Sequence, residues 1–176
     1  MITLNAQSIQ NHTSRIVLQQ LLDTHKPDAM TLCETWLDTN HRVVLTGYDI
    51  ERADRNSRGG GLAIITKKNT EKRRIDLIFK PTTFEVMATA IFHIDGSSTI
   101  LLAIYKKPET PFSYTEWDNV VTSLPQEIST AITYRGKVVK HLRTESASMI
   151  GQQGMTSAFT LLVHLQEVYM AIWICF

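Results

Sequence analysis

Short apolar segments separated by polar residues run along the first quarter of the chain. Ile2–Ala6 and Ala29–Cys33 have the length of strands, and the periodicity of Asn11–Thr24 predicts an amphipathic helix between them. Lys26-Pro27-Asp28 ends that helix. The side chains that we expect this helix to bury are Ile16, Leu18, Leu21 and Leu22. The predicted order is strand, helix, strand.

A second group of strands is predicted after a turn at Gly47. The segments are Leu62–Thr66, Ile75–Phe79, Glu85–Phe92 and Thr99–Tyr105, and Asp95-Gly96 forms the turn between the last two. Glu85–Phe92 alternates as a half-buried strand does. These segments predict an antiparallel meander.

A second helix is predicted near Tyr114, because Ser113 and Glu116 have the spacing of a capping box. We expect it to turn Trp117, Val120, Val121 and Leu124 inward. Pro125 ends or kinks it. Beyond about Ala131 the pattern weakens, so we assign residues 1–128 to one domain and residues 129–176 to a divergent tail of unknown role.

Composition is that of a globular protein, with 176 residues, 43% hydrophobic and 20% charged. Net charge is +1, but residues 51–74 hold eight Lys/Arg against three Asp/Glu. A focused basic segment binds phosphate backbones in some proteins and is a solvated loop in others. Both interpretations stay open for residues 52–74.

Location is predicted to be intracellular, because no secretory leader precedes Ile2.

Cys33 and Cys175 lack zinc-site spacing, so we expect reduced thiols, with Cys33 in the core. Phe159–Phe176 is the most apolar stretch. It contains His164, Gln166 and Glu167, which disfavour a membrane span.

Glu34 directly follows a buried strand, at the strand end where open α/β sheets present ligands. Mg²⁺ in phosphodiester-hydrolysing sites takes one or two carboxylates plus water. Glu34 is therefore a candidate ligand, or else it caps a helix or pairs with an arginine. Asn5, near another strand end, either holds a phosphate oxygen or satisfies a turn.

Five pieces of sequence in order carry a family resemblance. They are Leu4-Asn5-Ala6-Gln7-Ser8-Ile9, Lys26-Pro27-Asp28, Cys33-Glu34-Thr35-Trp36-Leu37, Gly47-Tyr48 and the stretch from Arg52 to Ile64, followed by Ile104-Tyr105-Lys106-Lys107-Pro108. Residues 2–128 resemble the apurinic-endonuclease-like domain of non-LTR retrotransposons, a branch of the endonuclease/exonuclease/phosphatase family. The resemblance implies a four-layered α/β sandwich of the DNase I-like type. It also implies that this one is incomplete, with most of the second sheet missing.

Carried over residue by residue, the resemblance makes Glu34 the ligand of Mg²⁺ or Mn²⁺, Asn5 an active-site asparagine and Tyr105 a phenol that contacts the phosphate. DNA is the implied partner, with Arg55 and Arg58 meeting its phosphates, and the nucleus is the location that the resemblance implies. Gly59-Gly60-Gly61 lacks the spacing of phosphate-binding loops, so we expect it to let the chain turn tightly into the next strand.

Two motifs that the family has further along the chain are missing. The expected Gly-Asp-x-Asn would fall in Ile132–Lys140, which contains neither Asp nor Asn. The closing Ser-Asp-His cannot occur, because Asp118 is the last aspartate. The first hypothesis is therefore a truncated Mg²⁺-dependent DNA endonuclease with little or no activity. The alternative is a non-catalytic remnant that binds nucleic acid through residues 52–74.

Overall fold

The computed structural model describes residues 1–55, 59–106 and 110–125, together with the strand backbones at 133–134, 137–138, 159–165 and 168–175. Its elements in chain order are β1 (Ile2–Asn5), α1 (His12–His25), β2 (Ala29–Cys33), β3 (Tyr48–Ala53), β4 (Leu62–Lys67), β5 (Lys72–Ile75), β6 (Glu85–Phe92), β7 (Ser98–Tyr105), α2 (Tyr114–Thr122), β8 (Thr133–Tyr134), β9 (Lys137–Val138), β10 (Phe159–Leu165) and β11 (Val168–Cys175).

The first sheet has the strand order β1-β2-β4-β3. β1 and β2 are parallel and joined through α1, whereas β4 runs antiparallel to both β2 and β3. In this register Asn5 lies opposite Cys33, and Cys33 lies opposite Leu62. Three strand ends therefore meet at one edge of the sheet, directly before Glu34.

Helix α1 begins and ends close to the predicted positions. Asn11 caps its first turn, since Asn11 Oδ1 accepts a hydrogen bond from Ser14 N at 2.7 Å. Leu18 and Leu22 are buried as expected, but the prediction for Ile16 is wrong, because that side chain is 44% exposed. At 3.6 residues per turn, Ile16 lies about 200° around the helix from Leu18 and cannot share its face.

The second sheet has the order β10-β11-β7-β6-β5. β6 and β7 form the predicted antiparallel hairpin, in which Glu85 lies opposite Tyr105. β11 extends this sheet by pairing parallel with β7. The tail therefore contributes strands to the sheet edge.

Within residues 1–128, two strands differ from the sequence prediction. β3 was not predicted, because its polar Asp49, Glu51 and Arg52 hide the strand pattern. β5 covers Lys72–Ile75 instead of the predicted Ile75–Phe79. Leu77 and Phe79 reach the core from the loop that follows β5, so apolar content alone pointed to the wrong residues.

Four layers result from the packing of these elements. Leu18 and Leu22 of α1 pack on one face of the first sheet, and Val120 and Leu124 pack on the outer face of the second. The facing sides of the two sheets form a third cluster, which includes Cys33, Leu62, Ile64, Met87, Leu101, Ala103 and Tyr105. The four-layered α/β sandwich is confirmed. The second sheet is more complete than the sequence suggested, since residues 72–105 supply three of its strands.

Helix α2 begins at the predicted capping box, where Ser113 Oγ accepts a hydrogen bond from Glu116 N at 3.2 Å.

Cys33 is buried as expected, but it is disulfide-bonded, so the expected reduced thiol at this position is wrong. Within the described ranges, neither helix is long and apolar enough to cross a membrane.

Candidate active site

The candidate site forms where ends of strands from the two sheets meet. Glu34 follows β2, Tyr105 ends β7 and Glu85 begins β6. Because the sheets pack face to face, residues far apart in sequence meet at this end of the sandwich. We call the group formed by Glu34, Gly60, Gly61, Glu85 and Tyr105 the Glu34 end.

The backbone at Glu34 leaves the strand sharply. Glu34 and Trp36 both have left-handed backbone conformations, with φ of 54° and 55°. On one side the chain is held by Ser8 N, which donates to Glu34 O at 2.8 Å, and by Ile9 N, which donates to Thr35 O at 3.0 Å. These bonds fix the direction in which the Glu34 side chain leaves the sheet.

Glu34 and Tyr105 are in direct contact, although 71 positions separate them: Tyr105 Oη donates to Glu34 Oε1 at 2.6 Å. Tyr105 is 6% exposed. Burial raises the pKa of the Tyr105 phenol far above its usual value, and the hydrogen bond to Glu34 and the charges of Glu34 and Glu85 raise it further. The phenol is therefore neutral at physiological pH and acts as a hydrogen-bond donor.

Glu85 is a member of this site that the sequence analysis missed. Glu85 Oε2 accepts a hydrogen bond from Gly61 N at 2.8 Å, and Glu85 Oε1 forms an ion pair with Arg55 Nη1 at 2.8 Å. The available signal was an acid at the first position of a predicted strand whose hairpin partner ends on Tyr105. The pairing register turns that sequence position into a spatial neighbour of the phenol.

The glycine run packs tightly against this end of the sandwich. Gly59, Gly60 and Gly61 have φ of 83°, 73° and 85°. A Cβ added to Gly61 would lie 2.6 Å from Thr35 Oγ1, and one added to Gly60 would overlap Glu85 Oε1. Glycine is therefore required here both for backbone conformation and for close approach.

Asn5 is not seen in contact with Glu34. Its side-chain Oδ1 accepts a hydrogen bond from Gln7 N at 3.2 Å, which is the turn-satisfying interpretation of this residue. Arg55 lies at the site but is paired with Glu85, and its charge slightly opposes the rise in the pKa of Tyr105. Arg58 lies outside the described residues.

Much of the basic segment is engaged in contacts between the edges of the two sheets. Lys72 Nζ of β5 pairs with Asp49 Oδ2 of β3 at 2.7 Å, and Arg74 Nη1 donates to Arg52 O at 2.7 Å. Arg73 lies over the ring of Phe92. These cations join β5 to β3 and β6, so the contacts between strands account for the basic residues of β5 without a nucleic-acid partner.

A metal ion would find one suitable carboxylate in this site. No group of three His, Cys, Asp or Glu side chains that could hold a metal is present among the described residues. Glu85 has both oxygens engaged, whereas no hydrogen bond reaches Glu34 Oε2 in the part of the chain that the structure describes. The residues fit a weakly held Mg²⁺ that draws its other ligands from water and substrate.

No protein-family model matches the chain, and no curated protein matches it. Among solved structures, it is similar to the Bacteroides thetaiotaomicron mannosyl-6-phosphatase Bt3783, at 13% identity and a TM-score of 0.47 over 69% of this chain and 55% of that one. It is also similar to D. rerio TDP2 complexed with a single-strand DNA product, at 17% identity and a TM-score of 0.43 over 61% and 46%. For C. elegans TDP2 the values are 15% and 0.43 over 59% and 34%. The chain spans about half the length of these proteins or less.

Proposed function

We propose that residues 1–128 are the N-terminal part of a metal-dependent phosphodiesterase domain of the endonuclease/exonuclease/phosphatase family, derived from a retrotransposon endonuclease that nicks DNA. The observation that carries this proposal is the hydrogen bond between Tyr105 and Glu34. The resemblance assigns these residues to phosphate and metal, and their contact provides the proximity that both roles need. Residues 129–176 are a divergent tail in this proposal, and a nuclear location belongs to it as well.

Each residue of the site has a defined task in this proposal. Glu34 would hold Mg²⁺, which when bound would neutralise charge on the phosphate. Tyr105, kept neutral by burial, donates its O–H to Glu34 in the structure, and in this proposal it turns the same O–H to a phosphate oxygen when substrate binds. Asn5, whose Oδ1 accepts from Gln7 N in the structure, is the active-site asparagine of this proposal.

Turnover by this chain is weak or absent in this proposal. In the family, the missing Gly-Asp-x-Asn supplies the aspartate that orients the attacking water, and Ser-Asp-His supplies a phosphate contact. A positioned base contributes typically about 10²–10⁴-fold, and losses within one catalytic unit are strongly non-additive. A site reduced to Glu34, Tyr105 and Asn5 is therefore expected to bind metal and phosphate better than it catalyses.

A plasmid-nicking assay with Mg²⁺ tests the catalytic part. Residual nicking by the full chain is expected to be slight and to disappear in Glu34→Gln. Glu51→Gln is a matched control, because Glu51 is also a half-buried carboxylate but bonds to Thr89 Oγ1 at 2.6 Å, away from Glu34. Nicking that survives Glu34→Gln would contradict the assignment of the metal ligand.

The alternative is a non-catalytic remnant that binds nucleic acid through residues 52–74. It is favoured by the net charge of +5 in residues 51–74 and opposed by the cross-sheet contacts of Lys72 and Arg74. Binding of a labelled duplex is measured against salt for the wild type and for Arg55→Ala with Arg58→Ala. Salt-sensitive binding that weakens in the variant, without any nicking, would support the remnant.

A further inference from the structure

We propose that Glu85 is a positioning residue that holds the carboxylate of Glu34 in its metal-binding place by anchoring the glycine run Gly59–Gly61. This inference deepens the proposed function and rests on it for the metal at Glu34. Its geometrical part, the control of the Glu34 backbone by Glu85, stands on contacts that involve no metal.

The first link joins the second sheet to the glycine run. Glu85, the first residue of β6, accepts from Gly61 N at 2.8 Å through one oxygen and from Arg55 Nη1 at 2.8 Å through the other. Arg55 precedes the glycines in the chain, so one carboxylate bonds both to the run and to a residue that comes before it. The Glu85 side chain is 27% exposed, which leaves these bonds only partly open to competition from water.

The second link joins the glycine run to the residues that follow Glu34. Gly61 O accepts from Thr35 N at 3.2 Å, and Gly60 O accepts from Trp36 N at 3.0 Å. From the opposite side, Ser8 N bonds to Glu34 O at 2.8 Å. The peptide that carries Glu34 is thus clamped between the end of β1 and the glycine run.

The clamp is needed because the backbone here is in an unfavourable conformation. Glu34 and Trp36 have φ of 54° and 55°, a region that residues other than glycine avoid. Such conformations persist where surrounding contacts over-determine them, and they occur often at ligand sites. Without Glu85, the glycine run loses its anchor, and Thr35 and Trp36 lose part of the support that keeps Glu34 turned out of the strand.

The test uses the full chain and measures two properties of Glu85→Ala. Hydrogen exchange of the Thr35 and Trp36 amides is expected to become faster than in the wild type. Binding of Mn²⁺, measured by calorimetry, is expected to weaken about tenfold or more, as for other groups that orient a metal ligand. Glu85→Gln keeps an oxygen for Gly61 N, so it is expected to restore most of both properties.

Glu51→Ala is the matched control, since it removes another carboxylate bond between the sheets, the 2.6 Å bond to Thr89. It is expected to leave both readouts unchanged. Equal effects of Glu51→Ala and Glu85→Ala, or wild-type exchange at Thr35 and Trp36 in Glu85→Ala, would overturn the inference. If Glu85→Ala does not fold, the same two measurements are made on Glu85→Gln and Glu85→Asp. The aspartate is too short to reach Gly61, so the inference requires faster exchange and weaker Mn²⁺ binding in Glu85→Asp than in Glu85→Gln.

Failure of the proposed function has a different signature. In that case the wild-type chain does not bind Mn²⁺ at all, and Glu34→Gln changes nothing. The amide-exchange comparison of Glu85→Ala with Glu51→Ala then supports or overturns the role of Glu85 in holding the Glu34 backbone.

Discussion

The Glu34 end and the basic edge formed by Lys72, Arg73 and Arg74 of β5 and its neighbours both hold charged side chains, but in different contacts. At the Glu34 end, the carboxylates bond to a buried phenol and to a backbone N–H of the glycine run. At the basic edge, Lys72 Nζ pairs with Asp49, whose side chain is 45% exposed, and Arg73 lies over the ring of Phe92. The Tyr105 phenol and the Gly61 N–H are buried, whereas water and salt weaken the pair that Lys72 makes with the exposed Asp49.

This difference bears on function. A charged side chain that bonds to buried groups keeps one orientation and can contact a ligand in a defined geometry, whereas an exposed side chain exchanges partners easily. The carboxylates of the Glu34 end are therefore held by buried groups, and the cations of the basic edge join β5 to β3 and β6. Three substitutions test how far this contrast holds.

Gly61→Ala is expected to have the largest effect, because it combines a left-handed φ of 85° with a Cβ that would lie 2.6 Å from Thr35 Oγ1. We expect a loss of about 3 kcal/mol in the free energy of unfolding. Gly47→Ala is the control, since Gly47 has a φ of 78° but no atom within 4 Å of the added Cβ. Its expected loss is about 1 kcal/mol. Urea denaturation measures both, and equal losses would show that the glycine run is not tightly packed.

Tyr105→Phe is expected to have an intermediate effect, because it removes the bond to Glu34 and keeps the ring. We expect a loss of about 1 kcal/mol in the free energy of unfolding at neutral pH. Folding raises the pKa of Tyr105, so above pH about 10 the unfolded chain loses this proton while the folded protein keeps it. The stabilisation is thus complete below that pH and is lost as the pH rises through the folded pKa.

Denaturation at a series of alkaline pH values checks the sign of this dependence. The difference between the wild type and Tyr105→Phe should shrink as the pH rises above 10. Glu34→Gln removes one cause of the raised pKa of Tyr105. In that variant, the fall in stability with rising pH should therefore be complete at a lower pH than in the wild type. A difference that grows with pH would show that the phenol is not held neutral.

Lys72→Met is expected to have the smallest effect. Lys72 is 15% exposed and its partner Asp49 is 45% exposed, so the pair contributes about 0.5 kcal/mol to the free energy of unfolding. That contribution should vanish in about 1 M salt, where the Debye length is near 3 Å. Lys68→Met is the control, because Lys68 forms no ion pair within the described residues. If salt does not reduce the loss of stability in Lys72→Met, the Lys72–Asp49 pair is as well shielded from solvent as the contacts of the Glu34 end.

Local pattern was sufficient for the strands with strong apolar character. Ala29–Cys33 and Glu85–Phe92 have the predicted bounds, and α1 begins at its Asn11 cap. The pattern was insufficient for β3 and β5, whose polar side chains find partners on neighbouring strands. Glu116 shows the same limit within a motif: its amide bonds to Ser113 as predicted, but its carboxylate bonds to Thr82 and Thr83.

That distant use of Glu116 also changes its chemistry. The hydrogen bonds from Thr83 and Thr82 lower the pKa of the Glu116 carboxyl to about 2. No spacing within the helix predicts this shift, because both threonines belong to the loop before β6. The capping-box motif determined where α2 begins, and tertiary packing determined that the Glu116 carboxylate bonds to Thr82 and Thr83.

The sequence by itself determined the candidate ligand, since a buried apolar strand that ends on Glu34 is a local feature. It also determined both helices, the strands β1, β2, β4, β6 and β7, and the glycine run. Only the tertiary structure decided that Tyr105 meets Glu34, that Glu85 holds the glycine run and that the basic segment joins two sheet edges. These contacts link residues on different sheets, and their geometry follows from strand register and face-to-face packing, which local periodicity does not specify.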